Sequence, residues 1–202
     1  MLIHRLGLLW ISALCLLGAC GPIQISLDTR RLPVAALPGA EHVSLDVVSR
    51  DARDVQSTQR VGAVRYSGKM IVISTDAAEL VRGSVENLLR DQGFVIAAGG
   101  LVVIAELQNF YFDSNFGTQS SVAFTLRVRD QSGRTLYTHY YEGHFEGGMV
   151  SSFGTGQKAK RELEEALDDA LRKVSVDTAL QRALLLPRPP TSIVAPPARS
   201  KT

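Results

Sequence analysis

The sequence predicts an α+β domain in which an antiparallel sheet of about four to six strands carries two helices on one face. Three observations lead there. From residue 122 to 129 two sets of residues alternate, Val122, Phe124, Leu126 and Val128 against Ala123, Thr125, Arg127 and Arg129, the period-two pattern of a strand with one buried and one wet face. Two other stretches repeat apolar residues at helical spacing: Leu80, Val81, Val85, Leu88 and Leu89, then Leu163, Ala166, Leu167, Ala170, Leu171 and Val174. The inferred order, two strands, a helix, four strands and a helix, suits helices segregated to one side of an antiparallel sheet.

The domain is expected over residues 42–186. Val43, Leu45 and Val47 alternate with Ser44, Asp46 and Val48 and predict a half-buried first strand, followed by a polar stretch from Ser49 to Gln59. Met70 to Ile73 is a short second strand. Thr75 or Asp76 caps the first helix, Glu79 can reach back to its start, and Gly93 supplies a left-handed stop. Phe94 to Ala97, the Gly99-Gly100 turn and the run from Leu101 to Phe112 together predict a hairpin. After the alternating strand, Asp130-Gln131-Ser132-Gly133 turns the chain into a last strand from Arg134 to about Phe145. A Gly-rich loop from Gly147 to Gly156 leads into the final helix, whose acidic face holds Glu162, Glu164, Glu165, Asp168 and Asp169. Asp177 caps a further helical piece ending at Leu186.

The chain's ends have other compositions. Residues 20–41 contain Pro22, Pro33, Pro38 and Gly39 without a sustained apolar period and are expected to be a tether. Residues 187–202 hold Pro187, Pro189, Pro190, Pro196 and Pro197 among small and basic residues, a composition for disorder or polyproline. Residues 1–19 have the form of an export signal: His4 and Arg5, an apolar run from Leu6 to Leu17 too short to span a bilayer, then Leu17-Gly18-Ala19-Cys20.

Those last four residues resemble the lipobox of bacterial lipoproteins. The resemblance implies cleavage before Cys20, a diacylglyceryl thioether on its sulfur and an acylated amine, hence attachment to a membrane through the acyl chains on Cys20. Two or more chains make such anchoring stable, where one is marginal. Gly21 stands where an inner-membrane retention Asp sits in enterobacterial lipoproteins, so the expected location is the periplasmic face of the outer membrane of a Gram-negative bacterium. Removing residues 1–19 takes away Arg5 alone among the charged residues, so 22 basic residues become 21 against 20 acidic ones. Such a balance gives no reason to expect nucleic-acid binding. With Cys15 removed and Cys20 lipidated, no disulfide and no cysteine metal site remain.

The domain also resembles a family. The strand Val43 to Val48 followed by Arg50-Asp51-Ala52-Arg53, the helix ending in Leu88-Leu89-Arg90-Asp91-Gln92-Gly93-Phe94, the strand Leu101 to Tyr111 and the acidic final helix look like the YajG-type family of small outer-membrane lipoproteins. The resemblance covers about residues 42–186 and rests on pattern and order. It implies fold and location and carries no catalytic residue; the Pro-rich tail after Leu186 is a departure from the family.

Groups able to do chemistry are few. His139, Glu142, His144 and Glu146 are ligand types for a zinc-like ion, but alternation puts Glu142, His144 and Glu146 on one face and His139 on the other, and His42 is the sole other histidine after Cys20. Polar residues on a wet face explain the pattern without an ion. No Gly-x-Ser-x-Gly elbow occurs, and Ser151-Ser152 have no evident histidine and acid partners. Gly147, Gly148, Gly154 and Gly156 before Lys158 lack phosphate-loop spacing. Arg50, Asp51, Arg53 and Asp54 read as a salt-bridged turn rather than an anion site. No enzyme activity, cofactor or metal is expected.

Aromatic crowding is the stronger signal. Tyr111, Phe112, Phe116, Tyr140 and Tyr141 are the candidate partner-binding residues, because successive strand residues cannot all face a core and rings on a wet face are common in partner surfaces. The expected function is therefore that of a non-enzymatic lipoprotein binding another envelope component, a protein, through its sheet face. The alternative is a carrier or auxiliary lipoprotein for a lipid or cell-wall ligand, which requires an apolar cleft between helices and sheet.

Overall fold

The computed structural model describes residues 23–53, 63–66, 69–113, 118–147 and 155–186. The export signal, Cys20, Phe116, Ser151, Ser152 and the Pro-rich tail lie outside the described residues.

The strands are β1 (Ile23–Ile25), β2 (Ser44–Asp51), β3 (Ala63–Tyr66), β4 (Lys69–Ile73), β5 (Val95–Ile96), β6 (Leu101–Asp113), β7 (Thr118–Arg129) and β8 (Thr135–Gly147), and the helices α1 (Ala77–Asp91), α2 (Thr155–Ser175) and α3 (Thr178–Leu185). Five strands form one sheet in the order β5-β2-β6-β7-β8, and β1-β4-β3 form a smaller one. The class is α+β, as the sequence predicts, but the large sheet is mixed. β2 runs parallel to both β5 and β6, while β6, β7 and β8 form an antiparallel meander.

This corrects the expectation of a purely antiparallel sheet, and with it the hairpin expected from Phe94 to Phe112. β5 and β6 flank β2 instead of pairing with each other. After α1 the chain re-enters along β2 and crosses its start at Gly99-Gly100. A Cβ on Gly100 would stand 2.0 Å from the carbonyl oxygen of Ser44, so only glycine lets the crossing lie this close. A crossover helix between β2 and its neighbours is the ordinary requirement for parallel pairing.

Local punctuation follows the sequence more closely. Asp76 caps α1, its Oδ1 accepting from the amides of Ala78 at 2.8 Å and Glu79 at 3.2 Å, and Gly93 stops it at φ 101°. Asp130 Oδ1 accepts from the amides of Ser132 and Arg134 to close the β7–β8 turn. The apolar residues of β7 meet those of β6, Val128 opposite Val103, Leu126 opposite Ala105 and Phe124 opposite Leu107, all buried with the helix stripes in one core.

Residues 23–41, the described part of the segment expected to be a tether, pack onto the domain. β1 pairs in parallel with β4, and Leu27 is buried, with its amide donating to Thr75 Oγ1 at 3.0 Å. The Arg30 amide donates to Ser84 of α1 at 2.9 Å. Its guanidinium grips Asp168 of α2 in a fork, Nε to Oδ1 at 2.8 Å and Nη2 to Oδ2 at 2.6 Å. Two planar groups meeting through parallel bonds make a strong, directional tie. The Leu37 amide then donates to the Gln92 carbonyl at the end of α1 at 2.8 Å. Prolines fix an extended course here, and alternate apolar residues with one arginine dock it.

Candidate functional site

Cross-strand pairing sorts the large sheet's side chains into two rows. One holds Leu45 and Val47, Leu101 to Leu107 on odd numbers, then Phe110 and Phe112 beyond a register shift at Leu107/Asn109, and from β8 Tyr137, His139, Tyr141, Gly143 and Phe145. The other holds Arg50, Glu106, Tyr111, Ser121, Thr125, Arg127, Thr138, Tyr140, Glu142 and His144.

The first row is structural. Gly143 admits α2: a Cβ there would lie 1.9 Å from the Ala166 carbonyl oxygen and 2.5 Å from the Ala170 nitrogen. Tyr141, 3% exposed, packs its ring at 5.9 Å from Phe124. Its hydroxyl meets Asp177 Oδ2 at 2.8 Å, and the Tyr137 hydroxyl donates to the same oxygen at 2.6 Å, the two hydroxyls lying 2.7 Å apart. Asp177 Oδ1 meanwhile caps α3, accepting from the amides of Ala179 at 2.8 Å and Leu180 at 2.9 Å. One carboxylate thus ties α3 to the sheet. Burial works against the charge on Asp177, but the donors Tyr137, Leu180, Tyr141 and Ala179 outweigh it and hold its pKa below the usual aspartate range. Burial, with Asp177 beside it, pushes Tyr137 up to about 12; burial, then Tyr137 and Asp177, raise Tyr141 as well.

The second row is a carpet of polar groups bonded to one another. Glu106, buried, sits between Arg50 at 3.5 Å and Arg127 at 3.3 Å. Gln108 Nε2 donates to Thr125 Oγ1 at 2.9 Å, Asn109 Nδ2 to Ser121 Oγ at 3.1 Å, and Ser121 Oγ to Glu142 Oε1 at 3.0 Å. His144 Nε2 lies 3.3 Å from Glu142 Oε1. Tyr140 stands out of this carpet at 45% exposure. Burial, then the Glu142 carboxylate to which it is hydrogen-bonded, raise its pKa. Ala123 and Thr125 lie beneath the long side chains and are buried too, so the middle of β7 is covered on both faces where the sequence predicts one wet face.

The aromatic candidates therefore separate. Phe112, 2% exposed, and Tyr141 are core residues and lie on the row opposite the surface they are expected to share. Tyr111, half-buried opposite Ser121, and Tyr140 occupy the polar row. Among the described residues no group of three or more histidine, cysteine, aspartate or glutamate side chains is arranged to hold a metal ion. Asp51, expected to belong to a salt-bridged turn, does pair with Arg53, Oδ2 to Nη2 at 2.8 Å.

Sequence reasoning missed two arrangements. The tyrosine–aspartate clamp had only the helix cap at Asp177 as a visible signal. Glu162 of α2 is fully buried; its Oε1 accepts from Thr118 Oγ1 at 2.7 Å and its Oε2 has no hydrogen-bond partner among the described residues. Nothing in the amphipathic pattern distinguishes Glu162 from the half-buried Glu164, Glu165 and Asp169 of the same helix. A cleft of about 500 Å³, lined by His42, Val43, Ser44, Gln131 and Leu184 to Leu186 among others, opens where α3 ends beside the start of β2.

Comparison with known proteins places the fold. A crystal structure of a Xanthomonas campestris protein of the DUF330 family superposes with a TM-score of 0.52 at 12% identity, over 80% of this chain and 95% of that one. A minor lipoprotein from Acinetobacter baumannii aligns with a TM-score of 0.40 at 9% identity, over 69% of this chain and 90% of that one. No curated protein matches the sequence. The profile of a family described as uncharacterized lipoprotein matches residues 31–185, and the chain belongs to that family, the YajG-type lipoproteins.

Proposed function

We propose that this protein is a non-enzymatic lipoprotein, anchored through Cys20 to the periplasmic face of the outer membrane, whose domain binds another envelope component, a protein, through the polar row around Tyr140. In this reading the long helices lie over the row of Tyr141 and Gly143 and leave the opposite row to the partner. Membership of a lipoprotein family supports the location. The observation that carries the binding reading is the contrast on β8: an exposed tyrosine rises from side chains already fixed by hydrogen bonds at Thr125, Ser121 and Glu142. A ring held among pre-ordered polar groups loses little entropy on contact, which is how tyrosine comes to dominate binding surfaces. The carrier alternative gains little from the cleft at His42 and Leu186, which sits at the end of the sheet.

The test is a photo-crosslinking amino acid placed at residue 140 or 111 of the full-length protein in intact cells, with exposed Gln157 of α2 as the control position. A discrete partner band from 140 and 111 and none from 157 is expected. Equal products from all three positions, or only lipid and cell-wall adducts, would overturn the reading.

A further inference from the structure

β8 closes one edge of the large sheet, and its two halves are treated differently. In an antiparallel ladder alternate residues point both backbone groups at the neighbour and the rest point both away. Those pointing away from β7 are identified by two bonds: Lys173 Nζ donates to the Glu142 carbonyl at 2.6 Å, and the His144 amide donates to Asp169 Oδ2 at 3.2 Å. α2 thereby shields the edge at residues 142–144. Thr138 and Tyr140 have the same outward phase, and among the described residues their amides and carbonyls take no partner. The other edge strand, β5, is only two residues long. An open edge is a template for another strand, and proteins ordinarily cover it.

We infer that the open stretch Tyr137–Tyr141 pairs with the same stretch of a second copy of this chain, antiparallel about a two-fold axis at His139. This goes beyond the reading above, since it uses the strand's edge rather than its face. Three features select a second copy over an unrelated strand. The stretch carries no Asp, Glu, Lys or Arg, so two copies meet without like-charge repulsion, whereas a register centred further along brings Glu142 onto its twin. Centring on His139 makes Thr138 and Tyr140 of opposite copies hydrogen-bonded partners, four bonds in all, and sets a β-branched residue beside an aromatic one, a favourable cross-strand pair. Lys173 and Asp169 then bound the pairing at one end and the β7–β8 turn at the other, which fixes the register. Copies anchored to one membrane surface also share a raised effective concentration, so a short pairing suffices.

The test uses the full-length protein in its own membrane. In the non-hydrogen-bonded central pair the Cβ atoms of opposing residues approach within disulfide range, so His139→Cys is expected to give, on mild oxidation, a disulfide-linked species of twice the chain's mass. The unsubstituted protein and Glu146→Cys, whose position lies far from its twin in this register, are expected to stay single. Adding Thr138→Pro removes an outward amide that the sheet does not use, and is expected to abolish the dimer while thermal unfolding stays cooperative. Should proline disturb the fold, Thr138→Lys with Tyr140→Lys sets like charges opposite one another and is expected to have the same effect. No dimer at 139, equal dimer at 139 and 146, a product of any other mass, or a dimer that survives these changes would overturn the proposal. The heterologous crosslinks from residues 140 and 111 are read separately, so either result can fail alone.

Discussion

Tyr140 and Tyr141 are neighbours in sequence and belong to different regions of the molecule. Tyr141 is buried against Phe124 and bonded to Asp177, and so holds α3 to the sheet; Tyr140 is nearly half exposed and hydrogen-bonded to Glu142 of its own strand. The difference teaches that an aromatic-rich strand can divide its labour by parity: one row stabilises, and the other is left available for contact.

Breaking the stabilising row should have the largest effects. Gly143→Val is expected to prevent folding or cost more than about 3 kcal/mol, because its side chain collides with the α2 backbone at Ala166 and Ala170; a melting curve within a few degrees of the parent's would contradict the close approach. Tyr141→Ala should cost roughly 3–5 kcal/mol, the range for emptying a large aromatic site. Tyr141→Phe removes only the hydroxyl and should cost about 1–2 kcal/mol, measured by denaturant unfolding. Asp177→Asn keeps the cap, since asparagine caps as well as aspartate, but sets an amide nitrogen where Oδ2 accepts from the Tyr137 and Tyr141 hydroxyls, and about 1 kcal/mol is expected.

The same clamp sets a pH window. Asp177 has a folded pKa below its unfolded value, so its contribution is present above the unfolded aspartate pKa and is lost as pH falls through the lowered one. Tyr137 is raised to about 12, so its contribution is full below the ordinary tyrosine pKa and is lost as pH climbs toward 12. Unfolding followed across both limbs should show each loss in the parent. Tyr137→Phe should remove much of the alkaline limb, and an unchanged limb would mean that Tyr137 is not its source.

The smallest effect belongs to the other row. Tyr140→Ala should change stability by less than about 0.5 kcal/mol, as an exposed site with one carboxylate bond allows.

Much of the fold was legible where local chemistry decides it. Asp76 and Asp177 cap as their positions suggest, Gly93 stops α1, and β7 is a strand as its period implies, although its burial alternates only from Leu126 to Arg129. Parity also says that Tyr140 and Tyr141 face opposite ways, but not which way is inward, because that depends on where α2 crosses and on Gly143 admitting it. Phe112 illustrates the same gap: the register shift at Leu107/Asn109 resets which of its neighbours face the core. Parallel pairing of β2 with β6 is non-local and left no sign beyond the Gly99-Gly100 crossing. The docking of Arg30 on Asp168 joins residues 138 positions apart, and no period records it.

The most direct test of this division is one experiment on two variants, Tyr140→Ala and Tyr141→Ala, each carried through thermal unfolding and in-cell crosslinking of envelope proteins. The account predicts that Tyr140→Ala keeps the parent's melting temperature and loses the partner, while Tyr141→Ala melts many degrees lower. Unchanged partner recovery from Tyr140→Ala, or equal melting of the two variants, would contradict it.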